Sequence, residues 1–363
     1  MTGREIDFVK SAIEEGWVAP AGPDLVAFER EFLEYAGVAF GVALSSGTAA
    51  LHLALIAVGV KAGDEVLCPT FTFCATATPI AYTGASPVFI DCEKKSWNID
   101  PDLLRDELKR LADKNKLPKA VIVAHIYGQS ADMDPILETC NRYEISIIED
   151  AAEALGATYK GTKCGNMGVC AAFSFNGNKT ITTSGGGMLV SNNEDIVETA
   201  RYLSTQAKDK TPHYQHSTIG YNYRLSNILA AMGRAQVAVI DERISQTRNV
   251  NKMYRELLGD LPGIDFMPEP KNRMSTNWLT CIMIDPEKFG ADREEIRVCL
   301  EEENIESRPL WMSMHIQPVF SECRKVGGAV SEGLFKNGLS LPSGSDMTGE
   351  DVRRVSEIII SKY

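Results

Sequence analysis

From about residue 40 to residue 200 the chain alternates short, β-branched apolar runs with stretches of helical apolar spacing. Apolar runs of this length read as strands buried on both faces. Their alternation with helical stretches predicts a parallel sheet covered by helices on both sides. The strands are expected at residues 41–44, 65–68, 87–90, 120–124, 146–148, 171–175 and 187–190, which makes one large α/β unit with a mostly parallel seven-stranded sheet. From residue 225 to about 258 a helical repeat follows, carried by Ile228, Leu229, Met232, Gln236, Val237, Ile240 and Ile244. It predicts a long helix leading into a smaller α+β unit, with a strand at 279–284, a helix at 293–303 and a strand at 306–310. The expected division is 1–240 for the large unit and 241–363 for the small one, with no internal repeat and no low-complexity segment.

Composition narrows the class of function. With 44% hydrophobic and 24% charged residues in 363, the chain reads as an ordinary globular protein. A net charge of -12 argues against a nucleic-acid or anionic-membrane surface, both of which need clustered Lys and Arg. A small anionic substrate would need a local basic pocket instead. The longest apolar stretch, 49–60, contains His52 and falls short of the roughly 18 residues of a spanning helix. Residues 1–16 mix Arg4, Glu5, Asp7, Lys10, Glu14 and Glu15, which predicts an amphipathic helix rather than a signal peptide, and hence a cytoplasmic location. Nine scattered cysteines without a C-x-x-C pair predict reduced, mostly buried thiols, with neither a disulfide framework nor a metal site.

In open α/β sheets ligands bind beyond the carboxyl ends of the strands, so polar residues just after the expected strands are the candidates for chemistry. Ser45-Ser46-Gly47-Thr48 opens a helical run, where small residues leave helix-terminal N–H groups free for an anion such as a phosphate. The run Ser146-Ile147-Ile148-Glu149-Asp150 ends in carboxylates and continues with Ala151-Ala152-Glu153. A carboxylate held there could pair with a protonated ring nitrogen, Ala152 would let a flat ring lie close, and Phe73 could cover its other face. Between Lys163 and Glu194 the only formally charged side chain is Lys179, in Phe173-Ser174-Phe175-Asn176-Gly177-Asn178-Lys179. A lysine among apolar, small and neutral polar groups is poorly solvated as the ammonium, and this favours the free amine that a Schiff base requires. Gly220-Tyr221-Asn222-Tyr223-Arg224-Leu225-Ser226-Asn227 leads into the long helix and suits a subunit interface or a phosphate contact.

Taken together, these four segments resemble the sugar aminotransferases of the DegT/DnrJ/StrS family, in order and over nearly the whole chain. More narrowly, Trp17-Val18-Ala19-Pro20, Thr182-Thr183-Ser184-Gly185-Gly186-Gly187-Met188, His213-Tyr214-Gln215-His216, Arg308-Pro309-Leu310-Trp311 and Leu341-Pro342-Ser343-Gly344 are similar to the subgroup making UDP-N-acetylbacillosamine precursors. The resemblance implies fold type I, the cofactor pyridoxal 5'-phosphate, and transfer of the amino group of L-glutamate to carbon 4 of a UDP-linked 4-keto-6-deoxy-N-acetylhexosamine. It implies that Lys179 bonds the cofactor and moves the proton, that Asp150 holds the ring nitrogen, that Glu153 lies near the ring hydroxyl and that Phe73 stacks. It further implies that Ser46, Gly47, Thr48 and Ser174 hold the phosphate, joined by Asn222 of the neighbouring subunit in a homodimer with shared active sites. Trp17, Val18, Ala19, His216, Arg308, Trp311 and His315 match segments on the nucleotide-sugar side.

Two departures stand out. Family members usually carry a short segment before the part that begins here at Met1-Thr2-Gly3, so a longer start is expected. The His that often follows the ring-binding Asp by three residues is Glu153 here.

Rival functions fit less well. A related sugar dehydratase replaces the lysine with His, whereas Lys179 is present. A nicotinamide-dependent oxidoreductase would need G-x-G-x-x-G where the chain has Ser45-Ser46-Gly47-Thr48. A binding protein on an inactive scaffold would not need both Lys179 and Asp150. Within the family, a GDP-perosamine type or 3-keto nucleotide sugar is the alternative substrate.

Overall fold

The computed structural model describes residues 1–363. Its largest sheet runs in the order Phe40–Leu44, Gly187–Ser191, Cys170–Ser174, Ser146–Asp150, Ala120–Ala124, Glu65–Pro69, Ser86–Ile90 and Lys325–Val326. Only Gly187–Ser191 runs against the others, so the expectation of a mostly parallel sheet holds. The count is corrected from seven strands to eight. The extra edge strand, Lys325–Val326, comes from the far end of the chain and pairs with Phe89 and Ile90.

Alternation within each strand explains the layers. Along Ala120–Ala124, Ile122 points into one apolar cluster with Val66, Cys68 and Ile148, while Val121 and Val123 point into another with Leu67 and Ile147. The first face is covered by the helix Gly47–Ala57, which is apolar all round and buried along most of its length. The second is covered by Pro101–Ala112 and Met133–Arg142, through Leu104, Leu108, Leu111, Met133, Ile136 and Cys140.

The remainder forms a four-stranded antiparallel sheet in the order Ile264–Phe266, Thr280–Ile284, Gly338–Leu341 and Arg308–Pro309. Helices Arg293–Glu302 and Gly349–Ile360 pack on it. The long helix expected from residue 225 is two helices, Asn227–Val237 and Ile240–Leu258. The break redirects the chain so that Ile240 and Ile244 stay in the core of Phe28, Phe32 and Phe175, while Val250, Tyr254 and Leu258 enter that of the smaller sheet. The strand expected at 306–310 shrinks to Arg308–Pro309 at a sheet edge, because proline has no N–H to extend the ladder.

Because the strands ending at Leu44, Pro69, Ile90, Ala124, Asp150 and Ser174 are all parallel, the residues that follow them collect along one edge of the sheet. Asp91, just past one of these ends, ties that edge to the C-terminal part of the chain. Its carboxylate accepts from the amides of Gly328 (2.7 Å), Val330 (3.0 Å) and Ser331 (3.1 Å), and so caps the helix Ala329–Asn337, whose own N-cap residue supplies no side chain. Burial pushes the Asp91 carboxyl up, but these donors outweigh it and hold the carboxyl below its ordinary range. A carboxylate depressed in this way stabilises the fold above the unfolded pKa of about 3.9, and the contribution disappears as pH falls through the lower folded value. Asp91→Ala is expected to lower the stability at neutral pH by about 2 kcal/mol in urea unfolding, with the gap to wild type narrowing in strong acid.

Candidate active site

The common strand edge opens into a cavity of about 1060 Å³. This is at the upper end for small-molecule sites, roomy enough for a cofactor with a substrate beside it. Its floor is made of the segments that follow the parallel strands, and its far wall includes Trp278, Glu306, Arg308 and Trp311 from the C-terminal part.

At one end Ser46 caps the helix Gly47–Ala57, its Oγ accepting from the Ala49 amide at 3.0 Å. The amides of Gly47 and Thr48 in that first turn remain for an anion. The turn is pressed against the sheet so closely that a Cβ at Gly187 would lie 2.4 Å from the Ser46 carbonyl carbon, and one at Gly47 would lie 3.0 Å from Ser174 Cβ. Glycine at both positions is what lets the Ser174 hydroxyl, the helix terminus and Thr48 share one cup. Its amides and hydroxyls make a dipolar site, which suits a phosphate monoester.

Opposite the cup stands Asp150, the last residue of its strand. Its Oδ2 accepts from Thr76 Oγ1 at 2.7 Å and its Oδ1 from the Ala152 amide at 3.2 Å, so its direction is fixed by two partners. Thr76 is in turn joined to Thr72 Oγ1 at 2.6 Å. The preceding residue, Glu149, points to the other face, as period-two alternation requires. There it is fully buried and accepts from His125 Nε2 (2.9 Å) and from the amides of Gly165 (2.7 Å), Met167 (2.6 Å) and Gly168 (2.6 Å). Burial raises the Glu149 carboxyl, but these donors win and bring it below the ordinary range. The Ala131 amide donates to His125 Nδ1 at 3.1 Å, which makes Nε2 the hydrogen-bearing nitrogen towards Glu149.

Lys179 lies in a turn closed by its own amide on the Asn176 carbonyl at 3.0 Å. Its Nζ is 3.2 Å from Glu153 Oε1 and 4.0 Å from the centre of the Trp278 ring. Trp278 reaches it from about a hundred residues away and anchors the turn by donating from Nε1 to the Asn178 carbonyl at 2.8 Å. The expected neutral setting is thus corrected in one respect: an acidic partner, Glu153, stands within hydrogen-bond reach. Burial pushes the Glu153 carboxyl above its ordinary range, while the Lys179 charge and the Tyr127 amide pull the other way.

The cavity brings together Ser46, Gly47, Thr48, Phe73, Asp150, Glu153, Ser174, Lys179, Arg308 and Trp311. Phe73 sits half-exposed at its rim, 6.1 Å from the Trp311 ring. Arg308 donates to Glu306 at 2.6 Å and is otherwise open to solvent. Within one chain Trp17, Val18, Ala19, His216 and Asn222 lie outside the cavity, all exposed. His315 is a correction. It does not line the cavity but is buried, with Nδ1 2.7 Å from Thr70 Oγ1 and Nε2 2.9 Å from Glu332 Oε1, and it fastens its loop to the sheet edge.

Sequence reasoning missed His125, Tyr127, Thr76 and Trp278. His125 and Tyr127 follow the strand Ala120–Ala124 and obey the same rule that singled out Asp150. Trp278 carries no local signal, since only the fold brings it to Lys179.

The residues fit a pyridoxal phosphate at every end: neutral donors for its phosphate, a directed carboxylate for its ring nitrogen and an amine for its aldehyde. The comparisons with known proteins agree. Residues 1–360 match the model of the DegT/DnrJ/EryC1/StrS aminotransferase family. The chain is 49% identical, over 100% of its own length and 94% of the relative, to the Bacillus subtilis protein named "Putative pyridoxal phosphate-dependent aminotransferase EpsN". It is 37% identical to the GDP-perosamine synthase of Caulobacter vibrioides, over 98% of this chain and 94% of that one. A DegT DnrJ EryC1 StrS aminotransferase from Brucella abortus, known from its crystal structure, superposes with a TM-score of 0.92 at 28% identity, covering 99% of this chain and 95% of that one. Fold, cavity and sequence converge: the chain belongs to the DegT/DnrJ/EryC1/StrS aminotransferase family and is a pyridoxal phosphate-dependent aminotransferase of fold type I.

Proposed function

We propose that this enzyme moves the amino group of L-glutamate to carbon 4 of a UDP-linked 4-keto-6-deoxy-N-acetylhexosamine, for bacillosamine-type amino sugars of a surface glycan or exopolysaccharide. The observation that carries the reading is the placement of Lys179, Glu153 and Asp150 in one cavity with the Ser46–Thr48 cup, in a chain of this family. The choice of the N-acetylated UDP sugar rests on the subgroup segments, such as Arg308-Pro309-Leu310-Trp311. A second reading, a GDP-linked 4-keto-6-deoxyhexose, is favoured by the 37% identity to a GDP-perosamine synthase.

When bound, the cofactor supplies an aldehyde and an electron sink for the carbon that loses its proton. The Asp150 carboxylate, aimed by Thr76 and Ala152, holds the ring N–H and keeps positive charge where electrons are drawn. Gly47, Thr48, Ser46 and Ser174 bind the phosphate and fix the depth of the ring. Lys179 Nζ, once free, would take the proton from the α carbon of glutamate and deliver it to the carbon that carried the cofactor's aldehyde, on the far side of the nitrogen. Glu153 Oε1 keeps that amine in place between the two steps. Arg308 offers its guanidinium to an anionic substrate, and Trp311 and Phe73 offer faces to a sugar ring.

In the same reading the enzyme is a cytoplasmic homodimer divided into 1–240 and 241–363. Asn222, His216 and the 17–19 segment, exposed and outside their own cavity, complete the partner's site.

Lys179→Ala is expected to fold and to lack the visible absorption of a lysine-bound cofactor; retention of that band would move the assignment to another lysine. Asp150→Asn should still bind the cofactor but lose about 100-fold or more in turnover, and near-normal turnover would refute the ring-nitrogen role. The substrate is tested by absorbance titration of the loaded enzyme, first with L-glutamate and then with UDP-linked 4-keto-6-deoxy-N-acetylglucosamine or its GDP-linked counterpart. Glutamate should bleach the band and the UDP sugar restore it. Restoration by the GDP sugar alone would select the second reading.

A further inference from the structure

Tyr127 lines the cavity in a constrained conformation. It is 2% exposed, yet its backbone is left-handed, with φ 52° and ψ 25°. That conformation costs a residue other than glycine about 1–2 kcal/mol and persists only where the surroundings impose it. The next residue, Gly128 (φ 92°), is held by the Thr276 amide and the Ser275 hydroxyl on its carbonyl, and a Cβ there would lie 2.3 Å from Thr276 Oγ1.

The turn sends two groups of Tyr127 in different directions. Its amide donates to Glu153 Oε2 at 2.9 Å, which leaves Oε1 for Lys179. Its hydroxyl accepts from the Trp311 amide at 3.3 Å. Its ring lies 4.4 Å from the Trp311 ring and is stacked, at 6.4 Å, on Trp278, whose own ring carries Lys179 Nζ. One residue thus spans the cavity from the Lys179–Glu153 pair to the wall of Arg308 and Trp311.

We infer that Tyr127 is a positioning residue for the acceptor half-reaction, setting the Arg308–Trp311 wall at a fixed distance from the Lys179–Glu153 pair through its hydroxyl and ring. The inference rests on the reading of the acceptor as a nucleotide-linked keto sugar, whose bulk extends to that wall, whereas glutamate is small. A tyrosine that only filled the core would act equally on both half-reactions or on neither.

Tyr127→Phe is the discriminating variant, because it keeps the ring and the amide and removes only the hydroxyl. In the loaded enzyme the KM for whichever UDP- or GDP-linked 4-keto-6-deoxy sugar the wild type aminates should rise about tenfold, or ~1.4 kcal/mol. The rate of the glutamate half-reaction and the kcat at saturating acceptor should stay within about twofold. An unchanged acceptor KM, or equal losses in both half-reactions, overturns the inference.

A second measurement does not depend on the substrate. Trp97 and Trp278 are 3% and 7% exposed, so in a Trp17→Phe background the tryptophan open to a quencher is Trp311. Adding Tyr127→Phe should increase acrylamide quenching of the emission with the melting temperature little changed. Unchanged quenching overturns the inference whatever acceptor the enzyme uses. A wild type that aminates neither sugar refutes the substrate reading, and quenching then decides on Tyr127 alone.

Discussion

The active site depends on a carboxylate that never faces it. Glu149 is sealed inside the protein with four hydrogen bonds, three of them from amides of the 165–168 turn and one from His125. A buried charge is tolerable only when its acceptor capacity is filled, and here it is filled by groups that would otherwise be orphaned themselves. The consequence is positional. With Glu149 fixed on one face, the pleat fixes Asp150 on the other, and the His125 ring, held at both nitrogens, anchors the start of the turn that carries Tyr127. Two of the cavity's segments, the strand end at Asp150 and the turn from His125 to Tyr127, therefore take their places from one interaction beneath them.

The cavity itself is an ordered exchange of small residues for polar contacts. Gly47 and Gly187 remove the side chains that would separate the helix terminus from the strand holding Ser174. The cup offers dipoles, and two cations, Lys179 and Arg308, stand elsewhere on the cavity lining. One is neutralised by Glu153 at the reaction centre and the other by Glu306 near the mouth. Glu306 is exposed, so Arg308 is available to a substrate carboxylate or phosphate without leaving a bare buried charge behind, whereas Glu153 is buried and keeps its hold on Lys179.

Much of this was legible in the sequence, for physical reasons. Strands buried on both faces must be runs of apolar residues, so the seven long strands could be read to within a residue or two. The strand ending at Asp150 was read two residues short because its final residues are carboxylates whose burial depends on donors elsewhere in the chain. Lys325–Val326 was missed because a two-residue edge strand has no pattern to show. The break at 238–239 was missed because the helical repeat continues through it, and only the existence of two separate cores requires the change of direction. At the site, Asp150, Glu153 and Lys179 carried local signals. The places of Trp278 and His315 are set by partners far away in sequence, which no local pattern reports.

The dependence of Lys179 on Trp278 also bears on how the enzyme is made. A growing chain that ends before residue 278 has the phosphate cup, Asp150 and the lysine, but not the indole that anchors the lysine turn, nor the wall at Arg308 and Trp311. It also lacks the Lys325–Val326 strand that closes one sheet edge and the helix held by Asp91. An unfinished chain on the ribosome therefore holds the lysine turn by the Asn176 carbonyl and Glu153 alone, and meets the cofactor with an incomplete cavity. A cofactor that binds the complete cavity more tightly than the partial one draws the last folding step forward by mass action, which makes the vitamin supply of the cell a term in the yield of folded enzyme.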